Sequence, residues 1–286
     1  MRIIDGNAIA AEVRTVVAND VARIKMAGVC PTLAVILVGS NEASKVYVTR
    51  KIAACNQVGI RSLEHRLGPE VGQPELLALI DVLNDDPNVH GILVQLPLPQ
   101  HIDPNAVLDR IDPKKDVDGF HPVNIGRLTV GADSHVPCTP LGCITLLDTV
   151  IDDYRGLNAV VIGKSNIVGK PLALMLLERE CTVSVAHIAT RDLPDIVRRA
   201  DLLVVATGAA RLVRGDWVKP GAIVVDVGIS REVNVDGSVK IVGDVCFDEM
   251  GHVGAITPVP GGVGPMTVAS LLANTARAAA QQTRAV

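Results

Sequence analysis

Short apolar runs closed by turn residues alternate along this chain with stretches in which apolar residues recur every three or four positions. The first pattern predicts strands and the second amphipathic helices, so their alternation predicts βαβ units on a largely parallel sheet. Ile9, Val13, Val16, Val17, Val21 and Ile24 share one helical face and predict an opening helix that stops near Gly28. Leu33 to Val38 predicts a strand, Asn41 the cap of a helix running to about Gln57, and Ile60 to His65 another strand. A helix from Pro74 and a strand from His90 to Leu96 complete the series, which runs out into Gln95-Leu96-Pro97-Leu98-Pro99.

A second series follows a polar region from Pro113 to Pro140 and a helix predicted over about Leu141 to Tyr154. Its strands are Ala159 to Ile162, Thr182 to Ala186, Leu202 to Ala206 and Ala222 to Val227, each nearly all apolar, as strands buried on both faces are. Apolar Val253 to Ile256 then leads into Thr257-Pro258-Val259-Pro260-Gly261-Gly262-Val263-Gly264-Pro265-Met266-Thr267. Its prolines lack N–H donors and its glycines adopt angles closed to other residues, so the whole stretch reads as a stiff loop before a helix from Thr267 to Ala280. Such a strand-to-helix junction suits a ligand loop and a tight connector equally. The reading is α/β with two domains. Residues 1–139, completed by a returning 268–286, form one, and a Rossmann-like domain over 140–267 forms the other, with the active-site cleft expected between them.

Composition narrows the function. The 286 residues carry a net charge of −4 and no long basic block, which argues against nucleic acid as a partner. Aromatic residues are only 2% of the chain, so the core must be built from Val, Ile, Leu and Ala, and any aromatic outside it stands out. Cys30, Cys55, Cys138, Cys143, Cys181 and Cys246 show no CxxC pair or zinc-site spacing. They read as reduced core residues of a cytoplasmic protein, with no metal expected. The N-terminal residues form no cleavable apolar segment, and the uncharged run from Gly251 to Ala276 is too rich in Pro and Gly to cross a membrane.

Strand Val160-Val161-Ile162 runs into Gly163-Lys164-Ser165-Asn166-Ile167-Val168-Gly169-Lys170-Pro171 and then a helix. Gly163 and Gly169 suit a tight turn approached closely by phosphate, and exposed N–H groups at the helix start would attract it. Ser165 stands where the usual fingerprint has its second glycine. The next strand ends in His187-Ile188-Ala189-Thr190-Arg191, with no carboxylate before Asp192 to hold ribose hydroxyls. Lys164 and Arg191 are suited to offset a 2′-phosphate, so NADP is expected over NAD, which stays open.

On the first series, Tyr47 and Lys51 are four apart and share a helix face. The bland alternative is a tyrosine packed on a lysine stem. Gln95 lies at the C-terminal end of a strand, where polar groups of parallel sheets face ligands. Asp116-Val117-Asp118-Gly119 reads either as an Asp-Gly turn or as part of that site.

Taken together, Tyr47-Val48-Thr49-Arg50-Lys51, Val94 to Pro99, Pro113 to Phe120, Pro137 to Pro140, the Gly163 to Pro171 turn, Asp226 to Ile229 and Ile256 to Thr267 resemble the bifunctional methylenetetrahydrofolate dehydrogenase/cyclohydrolase family, nearly end to end. The resemblance implies NADP-dependent oxidation of 5,10-methylenetetrahydrofolate and hydrolysis of the methenyl product to 10-formyltetrahydrofolate, in a homodimer. It implies that Lys51, Tyr47, Gln95 and Asp118 are catalytic, with Tyr47 stacked on the folate, Gln95 the partner of Lys51 and Asp118 a ligand of the pterin ring. Pro97, Pro260, Gly261 and Gly262 would join these four in binding substrate. Gly163, Lys164, Ser165, Gly169, His187, Ile188, Ile229 and Thr267 would hold the dinucleotide. Oxidation needs orientation above all, whereas hydrolysis needs proton movement, so Lys51 is expected to matter mainly for hydrolysis once burial and a cationic substrate lower its pKa.

Lys164 stands where the family commonly has Arg, and Ile188 where Ser is common, and both changes weaken the case for 2′-phosphate recognition. Two other readings stay open: a dehydrogenase without cyclohydrolase activity, and a non-catalytic nucleotide-binding regulator.

Overall fold

The computed structural model describes residues 1–233 and 237–283, which fall into two compact units. Residues 1–10 and 139–267 make up one, and residues 11–138 with the chain from Val268 on make up the other. The chain opens with β1 (Arg2–Ile3) and α1 (Gly6–Met26), the latter started by Asp5, whose carboxylate accepts from the Asn7 and Ala8 amides. The final helix, α9 (Val263–Thr283), belongs mostly to the second unit.

The 11–138 unit is built on β2 (Thr32–Val38), whose seven residues are all buried. It pairs in parallel with β3 (Arg61–Leu67) on one side and β4 (Gly91–Val94) on the other. Because side chains alternate along a strand, Leu33, Val35 and Leu37 pack on one face, with Val17 and Val21 of α1, Val48 and Cys55 of α2 (Glu42–Val58), and Leu272 of α9. Ala34, Ile36 and Val38 point the other way, into a cluster with Leu76, Ile80 and Leu83 of α3 (Gln73–Asp85) and Val107 of α4 (Pro104–Arg110). Asn41 caps α2 as expected, accepting from the Ser44 amide at 3.0 Å, and Gly59 ends it in the left-handed region. The region from Pro113 on holds a helix that the pattern did not predict, α5 (Pro122–Thr129).

The 139–267 unit carries α6 (Cys138–Leu147), β5 (Asn158–Ile162), α7 (Gly169–Leu177), β6 (Thr182–Ala186), α8 (Leu193–Val197), β7 (Leu202–Val205), β8 (Ile223–Asp226), β9 (Ser230–Val233), β10 (Val239–Val242) and β11 (Ala255–Ile256). Its parallel sheet runs β1-β11-β8-β7-β5-β6 among the described residues, while β9 and β10 form a separate antiparallel pair.

Four expectations change. The first ten residues join the 139–267 unit, because β1 hydrogen-bonds along β11. Strand β6 is an edge strand and largely exposed, so its apolar sequence does not mean burial on both faces. Helix α6 ends at Leu147, well before Tyr154. Helix α9 begins at Val263, inside the stretch expected to be all loop, because Pro265 falls in its first turn, where a missing N–H costs nothing.

Candidate active site

In the 11–138 unit, α2 presents Tyr47 and Lys51 one turn apart. Lys51 is 8% exposed and Tyr47 40%, so the charged group is the sheltered one of the pair. Tyr47 leaves its ring in solvent in a chain with only two tyrosines, and the other, Tyr154, is buried with its hydroxyl on the Asp148 carboxylate at 2.8 Å. An aromatic ring left outside the core is free to receive a flat ligand.

Gln95 follows the last residue of β4, and the Leu96–Pro97 peptide next to it is cis, with Pro97 exposed. The Gln95 amide nitrogen donates to the Leu96 carbonyl at 2.7 Å, which turns Oε1 toward Lys51 and lets it accept from Nζ at 3.1 Å. The lysine is therefore held by a neutral acceptor.

Asp116 and Asp118 divide the two readings of their motif between them. Asp116 is buried and accepts from the amides of Gly119 at 3.1 Å and His121 at 2.8 Å and from the Asn124 side chain at 2.9 Å. It builds the turn. Asp118 lies within that turn, but its carboxylate accepts none of those three bonds. Burial pushes its carboxyl above the usual carboxylate range, the Lys51 charge pulls it back, and the Asp116 charge raises it further. The Cys138 thiol faces Asp118 and is driven well above its ordinary value by burial, with the Asp118 charge adding to the effect. Cys55, one turn beyond Lys51 on α2, is raised to about 12 by burial, and the Lys51 charge opposes the shift. Lys51, Gln95 and Asp118 thus come together electrostatically, with Tyr47 on the same helix face. Pro260, Gly261 and Gly262 lie in the other unit.

In the 139–267 unit the strand-turn-helix expected of a dinucleotide site is present. Gly163 follows β5 at φ +123°, and a side chain there would lie 2.2 Å from the Ala206 carbonyl oxygen, so only glycine fits. Ser165 changes the expected picture of exposed amides. Its hydroxyl accepts from the Val168 amide at 3.1 Å and the Gly169 amide at 3.3 Å, so part of the start of α7 is capped from within. Lys164 is exposed beside Gly163.

The chain after β6 folds back as a turn. The His187 amide donates to the Thr190 hydroxyl at 2.8 Å, and the Ala189 amide donates to the His187 Nδ1 at 3.2 Å. Ile188 stands fully exposed at its tip, with no carboxylate in the turn. Ile229 is half exposed ahead of β9, and the Thr267 hydroxyl pairs with that of Thr139 at 3.0 Å. Together these residues supply a glycine turn before a helix, an exposed cation beside it and a short turn without a carboxylate at the end of the second strand.

Sequence reasoning missed the buried carboxylates that hold these loops. Asp226 accepts from the amides of Gly228, Asp244 and Val245, each at 2.9 Å, and its own amide donates to the Thr257 hydroxyl at 2.8 Å. Asp244 accepts from the Thr207 amide at 2.7 Å, the Thr207 hydroxyl and the Gly208 amide, both at 2.9 Å. Each carboxylate also packs against a glycine of the other's segment. A side chain added at Gly228 would strike the Asp244 carboxylate, and one added at Gly243 would strike that of Asp226. A glycine one or two positions from each Asp, in Gly243-Asp244 and Asp226-Val227-Gly228, was the signal available in the sequence.

Two families of sequence match the chain. One, described as "Tetrahydrofolate dehydrogenase/cyclohydrolase, catalytic domain", covers residues 4–118, and the other, "Tetrahydrofolate dehydrogenase/cyclohydrolase, NAD(P)-binding domain", covers 137–283. "Bifunctional protein FolD 1" of Rhizorhabdus wittichii is 65% identical over 281 residues, spanning 98% of this chain and 95% of its own. The bifunctional methylenetetrahydrofolate dehydrogenase/cyclohydrolase of Campylobacter jejuni is similar in structure, with a TM-score of 0.95 and 51% identity over 98% of this chain and 99% of its own. The Trypanosoma brucei enzyme, solved with NADP and an inhibitor, gives a TM-score of 0.94 at 40% identity, over 99% of this chain and 98% of its own.

Proposed function

The chain belongs to the tetrahydrofolate dehydrogenase/cyclohydrolase family as a bifunctional enzyme, and within that activity we propose that Lys51 and Gln95 serve the hydrolytic step, Tyr47 and Asp118 hold the folate, and NADP is the dinucleotide. The enzyme oxidises 5,10-methylenetetrahydrofolate and hydrolyses the methenyl product. Relatives named as bifunctional do not favour a dehydrogenase lacking the second activity. The observation that carries the reading is the sheltered Lys51 ammonium held by a neutral acceptor beside Asp118.

The two steps ask different things of these residues. Loss of a hydride from the carbon between two nitrogens leaves a positive charge shared by both, so no proton needs to move in oxidation. The protein's part is to fix the folate, with Tyr47 offering its exposed ring, Asp118 facing the polar edge, and Pro97 of the same unit also serving substrate binding. When bound, the dinucleotide supplies the hydride acceptor. Hydrolysis adds water to the cationic carbon, the water loses protons, and a ring nitrogen gains one as its bond to that carbon breaks. Lys51 Nζ, aimed by Gln95, is placed to move those protons.

On the dinucleotide side, Gly163, Ser165 and Gly169 shape the phosphate turn and Lys164 faces a 2′-phosphate as a point charge. His187 and Ile188 border the same region, Ile229 and Thr267 belong to the nicotinamide half, and Pro260, Gly261 and Gly262 serve substrate binding. The missing carboxylate after β6 supports NADP, since nothing there repels a phosphate. The enzyme is taken to work as a homodimer in the cytoplasm, as its family does, and no helix among the described residues is long and apolar enough to cross a membrane. Following methenyl absorbance with either dinucleotide tests the cofactor choice. The expected kcat/KM for NADP exceeds that for NAD by about tenfold or more, and Lys164→Ala narrows the gap. A preference for NAD in the unmodified enzyme overturns it.

A further inference from the structure

One buried side chain of the last helix reaches the turn that carries Asp118. Asn274 of α9 is 3% exposed, and its amide nitrogen donates to the Val117 carbonyl at 2.8 Å and to the Val136 carbonyl at 2.9 Å. The Cys138 thiol donates to the same Val117 carbonyl at 3.3 Å. The two strands of chain that Asn274 joins are in direct backbone contact. A side chain added at Gly119 would lie 2.5 Å from the Pro137 nitrogen and the Val136 carbonyl carbon. Asn274 is thus a clip across the turn and the segment leading to Cys138.

The turn has a second support, but that support holds different atoms. Asp116 fixes the Gly119 amide, in the peptide that leaves Asp118, along with the His121 amide and the Asn124 side chain, but nothing in the peptide that enters Asp118. The Val117 carbonyl belongs to the peptide plane that ends at the Asp118 nitrogen and Cα. A peptide is rigid, so fixing its oxygen fixes the N–Cα bond of Asp118, and the Gly119 amide held by Asp116 then sets the rotation about that bond that aims the side chain. Two donors on one carbonyl, both from buried groups, are a strong constraint on that plane.

We propose that Asn274 is a positioning residue for folate recognition, setting the 117–118 peptide so that the Asp118 carboxyl is aimed at the ring. This rests on the assignment of Asp118 to folate. Asn274→Leu removes both donors at similar volume, and a double-mutant cycle with Asp118→Ala reads whether the two residues act through each other. The expected result is a rise of about tenfold in KM for 5,10-methylenetetrahydrofolate in Asn274→Leu, the scale of a lost buried hydrogen bond, with KM for the dinucleotide within about twofold of normal. The pair Asn274→Leu/Asp118→Ala should then bind folate no worse than Asp118→Ala alone. Additive losses in the pair, or folate and dinucleotide KM rising together, overturn the proposal, as does an unchanged folate KM. An Asp118→Ala enzyme with normal folate KM shows instead that the assignment of Asp118 is at fault. Should Asn274→Leu not fold, Asn274→Ser, whose hydroxyl is too short to span both carbonyls, is put through the same cycle with the same deciding outcomes.

Discussion

At the scale of single residues, this protein places charge where its sequence gives little warning. Asp226 sits among backbone amides with its carboxyl pushed up to about 6, because burial outweighs the three amides that favour its charged form, and Asp244 adds a like charge. The consequence for stability has a definite sign. An unfolded Asp titrates near 3.9, so between about pH 4 and 6 the folded state holds a proton that the unfolded state has lost, and stability falls as pH rises through that window. The loss attributable to this one carboxyl is roughly 3 kcal/mol, two units at 1.4 kcal/mol each. Asp226→Asn stays neutral throughout, and the cost of its altered hydrogen bonding is independent of pH. Denaturation of both proteins from pH 4 to 7 should show wild type losing stability relative to the variant as pH rises, and a constant difference would show that Asp226 ionises as an ordinary carboxylate.

Lys115 makes a similar point. It is 5% exposed and donates to the carbonyls of Leu83 at 3.0 Å, Asn84 at 2.7 Å and Asp86 at 2.8 Å, closing the C-terminal end of α3 directly before the Asp116 turn. Lys115→Met leaves three carbonyls short of a charged donor and should cost about 3 kcal/mol in a denaturant titration. A change under about 0.5 kcal/mol would mean that water replaces the ammonium freely. In the sequence Lys114 and Lys115 look alike, and only the fold buries one of them. Tyr47, Lys51, Gln95 and Asp118 were singled out as candidates because each stood at a position with a chemical reason. Asn274, Cys138 and Asp244 were not, since an Asn, a Cys or an Asp carries no local sign of which distant backbone it will meet.

At the scale of elements, period and punctuation located the long helices and central strands to within a few residues. Helices α1 and α2 stop at Gly28 and Gly59, both in the left-handed region, and β2 matches its apolar run almost residue for residue. Helices α4 and α5 escaped because seven or eight residues are too few to show a helical period. The edge position of β6 escaped because an apolar run carries no record of how many neighbours the strand will have.

The Pro-Gly segment proved shorter as a loop than expected, its second half being the first turn of α9. What remains is tightly built. A side chain at Gly262 would lie 2.6 Å from the Pro258 carbonyl oxygen and 2.8 Å from the Thr257 Cβ, and the Gly262 carbonyl itself occupies the space a side chain at Gly6 would need. Gly262→Ala must therefore shift the segment. Oxidation should lose roughly tenfold to a hundredfold in kcat/KM, because it depends on register with the dinucleotide, while hydrolysis of supplied methenyltetrahydrofolate changes much less. Equal, unchanged rates in both assays would reduce the segment to a connector.

At the scale of the whole molecule, the sequence divides its chemistry between two α/β units, and the matched families divide in the same order along the chain. The unit with β2 at its centre carries Tyr47, Lys51, Gln95 and Asp118. The unit with the β5 glycine turn matches the NAD(P)-binding domain and carries the residues proposed to hold the dinucleotide, and its loops are tied by Asp226 and Asp244. On the proposed assignment, two activities follow from one folate-facing set because oxidation asks it only to hold the substrate, whereas hydrolysis also asks it to move protons. That separation is the central claim, and Lys51→Met tests it most directly when oxidation of methylenetetrahydrofolate and hydrolysis of methenyltetrahydrofolate are assayed on the same preparation. Hydrolysis should fall by about 10²-fold or more, the usual weight of a general acid or base, while oxidation falls far less and the methenyl product accumulates. Equal loss of both activities with folate binding intact would contradict it.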